Sequence, residues 1–471
     1  MDRAPAWLLG LAALVVVCLV GGAVYLVTSD HGPDYPKEWD ARVAPLVSFV
    51  ELHRGLTYDH PVKVNFLTPA EYTKATRSGD DGGPSKEEKE EMEESISVMR
   101  ALGLVEGTFD FEKASQQLAD SGTLAYYDPT VKQVYVRGTK LTPSLRVTLV
   151  HELTHVAQDQ AFDLERVGDS DGPEGTALRA IAEGDATRIE DLYVEKGLSD
   201  SERKEHEKQS SADTKSADKD LADVPPVLTV LFAAPYYFGP AVVALADAQD
   251  GNTAVDKLFE APPSEFSLFD PLTFPPQDNP ASDQEKIDID LPKGAEKIDS
   301  SSFGPVAWYL LLASRVGEDQ AFTAVQGISS DGFLSYRKDG KVCVSGAAGG
   351  KPSEVKELRS ALESWAAKGP SGAAKVSGSA ARVDVVSCDP GKDAAAGGKV
   401  SQDMLLLPAR RTYTFVTIFK AGIEQGLTDK QATCSGKGVL DLFTLDQIAD
   451  PEFMPSAEQQ RAITQVAASC R

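Results

Sequence analysis

The sequence lacks an excess of positive charge: 47 lysines and arginines stand against 72 aspartates and glutamates, a net charge of −25. So acidic a chain has no spare positive field for a phosphate backbone, and we expect no nucleic-acid partner. Cysteine is also scarce, with five in 471 residues. Disulfides therefore cannot build the scaffold, and the core must come from apolar packing. Glycine and proline are too few for a collagen-like or low-complexity chain.

Long hydrophobic runs are rare too, but one stands at the N-terminus, where residues 4–27 carry no charged side chain. A helix of that length crosses a hydrocarbon core of roughly 30 Å. Arg3 precedes the run and Asp30 follows it, which places the N-terminus in the cytoplasm and the rest of the chain outside. A cleaved signal peptide is the alternative, although its apolar region would be unusually long. We predict a cytoplasmic stub and a single-pass transmembrane anchor over residues 1–28.

The four cysteines beyond this run all lie in the C-terminal third of the chain, at Cys343, Cys388, Cys434 and Cys470. An even number on the exported side of a membrane predicts two disulfides. The sequential pairing, 343 with 388 and 434 with 470, is one of three possibilities. Four free buried thiols are the alternative.

The pattern of apolar residues predicts an α+β fold with more helix than strand. A hairpin is expected over residues 124–136, and helices over 173–196 and 225–246. The polar stretch 195–223 is typical of a loop or a solvated helix end. The alternation of Ile287, Ile289 and Leu291 predicts a strand.

The informative stretch is His151-Glu152-Leu153-Thr154-His155, on a helix that Thr142 caps and Pro143 begins. Histidines four residues apart project from one helix face, so their nitrogens can reach one zinc ion at about 2.0–2.1 Å. Glu152 stands beside the first ligand and can take a proton from a water molecule at the metal. This is the H-E-x-x-H arrangement of zinc peptidases.

A catalytic zinc site usually needs a third protein ligand. Residue 161 is alanine, which excludes the pattern with a third histidine six residues after His155. Glu183 follows far enough along the chain for a second helix to lie beside the first. Asp185 is a rival, and Glu174 and Glu190 are lesser rivals that we interpret as solvated charges.

These motifs resemble the gluzincin peptidases, which share H-E-x-x-H on one helix and a zinc-binding Glu on a following helix. In one branch that Glu stands in an E-G-x-A context, which Glu183 to Ala186 matches. The sequence around these motifs is more similar still to that of a group of uncharacterised bacterial zincin-like membrane proteins, which have HELTH followed by QDQ, FDL and EGDA. The corresponding residues here are 151–155, 158–160, 162–164 and 183–186, and the resemblance covers roughly residues 40–345.

The resemblance implies a zinc ion held by His151, His155 and Glu183, with Glu152 as general base. It suggests Tyr236 or Tyr237 as the donor to the oxyanion, although both tyrosines are equally well explained as core aromatics. Asp185 lies in the apolar stripe of its helix and needs a partner there. We interpret it as an acceptor for the N–H of a ligand histidine, or as half of a helix–helix hydrogen bond.

The resemblance also implies a strand that aligns a peptide substrate beside the active-site helix, and residues 134–136 are the candidate. The implied fold is a zincin-like, mostly helical metallopeptidase body with a small antiparallel sheet, over residues 29–330. A small disulfide-linked β-β-α-β unit with Gly/Ala linkers follows over 331–400, and a helical region over 401–471.

The leading hypothesis is a membrane-anchored, extracytoplasmic zinc metallopeptidase that acts on peptide or protein substrates. The alternative is a zincin-fold protein of the cell envelope that binds a partner without turnover. An intact Glu152 favours the enzyme, because a binding module needs no general base. A structural zinc site is the weakest hypothesis, because such sites favour cysteine ligands and none lies between residues 19 and 342.

Overall fold

Helices make up most of the chain in the computed structural model, which describes residues 35–76, 85–121, 124–169, 173–270, 285–450 and 452–470. The predicted anchor, residues 1–28, lies outside these ranges. The helices are α1 (Ala44–Arg54), α2 (Pro69–Thr76), α3 (Lys86–Ala101), α4 (Phe111–Asp120), α5 (Pro143–Phe162), α6 (Glu165–Asp169), α7 (Pro173–Lys196), α8 (Asp200–Asp220), α9 (Pro226–Glu260), α10 (Glu265–Phe269), α11 (Pro305–Val316), α12 (Glu318–Val325), α13 (Pro352–Lys368), α14 (Leu406–Glu424), α15 (Asp429–Leu440), α16 (Leu445–Ala449) and α17 (Ala457–Ser469).

The strands form two separate sheets, so the predicted α+β class is confirmed. They are β1 (Lys63–Leu67), β2 (Ala125–Asp128), β3 (Gln133–Arg137), β4 (Glu285–Lys286), β5 (Glu296–Ser301), β6 (Ser330–Lys338), β7 (Lys341–Gly349), β8 (Ala374–Ser379) and β9 (Arg382–Cys388).

The first sheet is mixed, not antiparallel as predicted. β2 and β3 form the expected hairpin, but β1 joins β3 in parallel, so the order is β1-β3-β2. The parallel pairing is possible because a long connection, with helices α2, α3 and α4 and strand β2, separates β1 from β3. β3 therefore has a neighbour on both sides, and the prediction that residues 134–136 align a substrate is wrong. Among the described strands of this sheet, β2 is the edge beside helix α5.

Helix α5 begins where the sequence predicts it. The Thr142 side chain accepts a hydrogen bond from the backbone N–H of Leu145, and Pro143 occupies the first turn, where its missing N–H costs nothing. Leu149 and Leu153 are fully buried in a cluster shared with the first sheet and with α1. The helix is thus packed on that side and turns its histidines toward α7.

Helices α7 and α9 cross with their backbones in contact. A Cβ atom added at Gly239 would lie 1.7 Å from the carbonyl oxygen of Ala180, and one at Gly184 would lie 2.4 Å from the carbonyl carbon of Gly239. Two glycines therefore allow the close approach. The crossing sets the position of the α9 residues one turn earlier, among them Tyr236.

Helix α9 is longer than predicted and continues to Glu260 through a non-helical break at Asp250 and Gly251. Among the described residues, it alone is long and apolar enough to cross a membrane. However, 72 % of its apolar window is buried inside the protein, as expected of a core helix.

The polar stretch over 195–223 is mostly helix α8, so it is nearer to the alternative of a solvated helix than to that of a loop. Ser199 and Glu202 form a capping box at its start: the Ser199 side chain accepts from the Glu202 N–H, and the Glu202 side chain accepts from the Ser199 N–H. This local pairing begins a helix whose side chains are mostly exposed, which composition alone does not reveal.

The second sheet runs β4-β6-β7-β9-β8, with β5 also paired to β6. This sheet includes strands from both sides of residue 330, the predicted boundary between the peptidase body and the disulfide-linked unit: β5 lies before it and pairs with β6, nearly all of which lies after it. β4 covers only two residues, so the strand predicted over residues 287–291 is wrong. β8 lies where the sequence suggested a linker. The predicted disulfides are confirmed: Cys343 pairs with Cys388 across β7 and β9, and Cys434 pairs with Cys470.

Candidate metal centre

Three side-chain atoms that can bind a metal ion, from α5 and α7, lie close together. The Nε2 atoms of His151 and His155 are 3.0 Å apart, and Oε2 of Glu183 lies 3.2 Å from the first and 3.4 Å from the second. All three side chains are buried. Tetrahedral zinc with bonds of 2.0–2.2 Å separates its ligands by roughly 3.3 Å, so the triangle has the size that a metal ion requires.

The other ring nitrogens show where the imidazole protons lie. Nδ1 of His151 is 2.9 Å from Oε2 of Glu190, and Nδ1 of His155 is 2.9 Å from Oε1 of Gln158. Both partner atoms are acceptors, so each Nδ1 carries the proton and donates. Each Nε2 therefore directs a lone pair at the centre of the triangle.

Two imidazole lone pairs and one carboxylate oxygen converge there and need a cation between them. His151, His155 and Glu183 are thus a group that could hold a metal ion. The sequence-predicted third ligand is placed with the two histidines.

Glu152 lies at the edge of this group, 1 % exposed. Its Oε2 accepts a hydrogen bond of 2.7 Å from the backbone N–H of Tyr127 in β2. Burial raises the pKa of Glu152 to about 7. The carboxylate is therefore anchored to the edge strand and stands next to the converging lone pairs.

The structure separates the two candidate tyrosines. The phenol of Tyr236 is buried and donates a hydrogen bond to Glu183. Burial, together with the charges of Glu183 and Glu152, raises its pKa well above the ordinary value. Tyr237 is the next residue on α9 and has Asp403 and Arg410 as its charged neighbours, so it is not brought to the cluster.

Asp185 and Glu190 differ from their predicted roles. Asp185 is fully buried, but it contacts no ligand histidine: its Oδ2 accepts from the side-chain amide of Gln158, 3.0 Å away. The alternative of a helix–helix hydrogen bond is therefore the better description. Glu190, predicted to be a solvated charge, is 5 % exposed and accepts the His151 N–H directly. The side chain of Glu174 lies outside the described residues.

The sequence reasoning did not assign a role to Gln158, Asp159 or Gln160, which form the QDQ of the resemblance. Asp159 accepts from the Tyr127 hydroxyl at 2.5 Å and from the Lys132 ammonium at 2.9 Å. Gln160 accepts from the backbone N–H of Asp59 at 2.7 Å. Each side chain ties α5 to a neighbouring segment. Helical spacing would have revealed Gln158, which lies three residues after His155.

Replacement of the third ligand gives a direct test. Glu183→Ala removes one of three metal-ligand atoms, and we expect zinc affinity to fall by more than about a hundredfold. The measurement is chelator competition on the full-length protein. Glu195→Ala is the matched control, because Glu195 is an exposed glutamate on the same helix α7. Unchanged zinc affinity in Glu183→Ala would assign the third ligand elsewhere.

A scan against models of protein families, a search of curated proteins and a search of solved structures each find no match.

Proposed function

We propose that the protein is a zinc metallopeptidase of gluzincin type with a zincin-like fold. The observation that carries this proposal is the triangle of His151 Nε2, His155 Nε2 and Glu183 Oε2, with Glu152 one residue from the first ligand. A donor set of two imidazoles and one carboxylate is typical of catalytic zinc sites, which keep a further position open.

A zinc ion bound there supplies Lewis acidity, which polarises a substrate carbonyl and lowers the pKa of water. Glu152 takes a proton from the attacking water and passes it to the leaving amine. The N–H of Tyr127 holds one oxygen of that carboxylate in place. Tyr236 is the candidate donor to the developing oxyanion, because its phenol lies beside Glu183.

We place the substrate along β2, which is the edge strand beside α5 in the first sheet. A peptide that adds to this edge has its backbone beside Glu152, which is itself bonded to β2. This arrangement supports hydrolysis of an extended peptide or protein segment.

We propose a single-pass membrane protein with the catalytic part outside the cytoplasm. The uncharged run over residues 4–27 supports the anchor. The two disulfides support an oxidising compartment.

The alternative, a cell-envelope protein that binds a partner without turnover, is favoured by one observation. His151, Glu152, His155 and Glu183 are each 3 % exposed or less. A substrate must therefore reach the cluster through a movement of the surrounding chain, whereas a binding protein needs no such access.

Metal removal and cleavage profiling distinguish the two functions. The full-length protein, purified with its metal, is incubated with a broad peptide library. We expect cleavage that disappears after treatment with a zinc chelator and returns when zinc is added back. Full zinc occupancy without cleavage of any peptide would favour the binding protein. Cleavage that persists without metal would contradict the zinc mechanism.

A further inference from the structure

We propose that Arg54, at the end of the first described helix, is a positioning residue of the metal centre. It acts on His155 through a chain of buried side chains, Arg54–Asp185–Gln158–His155. The inference rests on the metal centre of the proposed function. It extends that centre to helix α1, which contributes no metal ligand.

Arg54 has no exposure at all, which is unusual for a cation. Its Nε atom lies 2.5 Å from Oδ2 of Asp185, and its Nη2 lies 2.7 Å from Oδ1 of Asp256. Burial of a guanidinium is costly unless carboxylates compensate its charge, and these two do so, although among the described residues only Nε of Arg54 makes a hydrogen bond. The end of α1 is thus fixed to α7 and to the C-terminal part of α9.

Asp185 connects Arg54 to helix α5. Its Oδ2 accepts from both Arg54 Nε and the Gln158 amide, whereas its Oδ1 accepts from Arg188 at 2.9 Å. Without the guanidinium of Arg54, the remaining cation lies on the Oδ1 side. The carboxylate then moves toward Arg188, and the Gln158 amide loses an acceptor.

The orientation of Gln158 decides which nitrogen of His155 carries the proton. The amide nitrogen faces two acceptors, Asp185 Oδ2 and the carbonyl oxygen of Ala182 at 3.1 Å. This leaves the amide oxygen to accept from His155 Nδ1. A flipped amide would present N–H groups to Nδ1 and favour the proton on Nε2, which then cannot bind a metal ion.

His151 is oriented differently, because Glu190 accepts its N–H directly. Only one of the two histidine ligands therefore depends on α1. Metal binding stabilises the hydrogen-bonded series from Arg54 to His155, and this series in turn raises the metal affinity. The docking of α1 and the metal affinity are therefore linked.

A double-mutant cycle on the full-length protein tests whether Arg54 acts on His155 through Gln158. The variants are Arg54→Met, Gln158→Met and the double substitution. Zinc affinity is measured by chelator competition, and the ligand geometry by the visible spectrum of bound cobalt. We expect each single variant to lose about tenfold in zinc affinity with an altered cobalt spectrum, and the double variant to lose no more than either.

Arg100→Met is the matched control, because Arg100 forms a similar ion pair with Asp389, at 2.7 Å and without contact to the metal residues. We expect its zinc affinity and cobalt spectrum to match those of the wild type. If Arg54→Met fails to fold, Asp185→Asn replaces it in the cycle, with the same expected loss.

Wild-type zinc affinity in Arg54→Met or its replacement overturns the inference. So does a loss that multiplies to about a hundredfold in the double variant, since Arg54 and Gln158 would then act independently. Neither readout requires peptide cleavage. If the effects of the Arg54 and Gln158 substitutions on zinc affinity are coupled but no peptide is cleaved, the proposed peptidase is contradicted and the positioning role remains.

Discussion

Glu152→Gln is expected to abolish peptide cleavage, with a fall in kcat of about a thousandfold or more, and to leave zinc content near one per chain. Glutamine has the shape of glutamate and keeps an oxygen for the N–H of Tyr127, which Glu152 Oε2 accepts at 2.7 Å. It has no basic oxygen to take a proton from water. General acid–base catalysis typically contributes 10²–10⁴-fold, and in the proposed mechanism one residue performs both proton transfers.

Measurement of kcat on one cleaved peptide, together with metal analysis of the same samples, checks this expectation. Glu265→Gln is the matched control, because Glu265 is also a buried glutamate, 5 % exposed, with Asp331 as its charged neighbour. We expect that control to cleave at the wild-type rate. A Glu152→Gln variant that still cleaves would refute the assignment of the general base. Loss of zinc along with cleavage would show that Glu152 maintains the metal site instead.

The part of the site that the sequence predicts is local. His151, Glu152 and His155 lie within two turns of one helix, so residue spacing alone places them on a common face. The cap at Thr142 is equally local and is confirmed. Glu183 required the resemblance, because spacing cannot show which carboxylate of a second helix faces the first.

The exchange of roles between Asp185 and Glu190 shows why. Both lie on α7, and which of them meets a histidine depends on the rotation of α7 about its axis relative to α5. That rotation is set by tertiary packing, including the close crossing with α9 at Gly184. Tyr236 and Tyr237 differ for a similar reason: neighbours on a helix project about 100° apart, so one crossing brings only the first to Glu183.

In the fold, too, the sequence reveals local features and not those set by long-range contacts. The hairpin turn at Asp339 and Gly340 has positive φ at both residues, which the local sequence signals. The parallel pairing of β1 with β3 joins Lys63 to Gln133, far apart in the chain, and no local pattern reveals it. β8 is mostly exposed and contains glycine, so its composition suggested a linker.

Gly239→Ala is the second variant with a large expected effect, because it acts on the crossing that brings α9 to the metal centre. The new methyl carbon would lie 1.7 Å from the Ala180 carbonyl oxygen, and a backbone atom cannot rotate away. The helices must separate, at a cost of at least about 3 kcal/mol in the free energy of unfolding. Because Tyr236 lies one turn before Gly239, separation also withdraws its hydrogen bond from Glu183.

Denaturant unfolding of the metal-free protein measures the first effect, and chelator competition for zinc measures the second. Gly422→Ala is the control, since it is also a helical glycine beside a neighbouring helix, but its nearest contact is the Ala432 side chain at 3.1 Å. We expect that variant to change the free energy of unfolding by less than about 1 kcal/mol and to keep wild-type zinc affinity. If Gly239→Ala matched this control in both measurements, the two helices would not be in backbone contact, and the hydrogen bond of Tyr236 would need another origin. A loss of stability with wild-type zinc affinity would instead mean that Tyr236 does not stabilise the ligand position of Glu183.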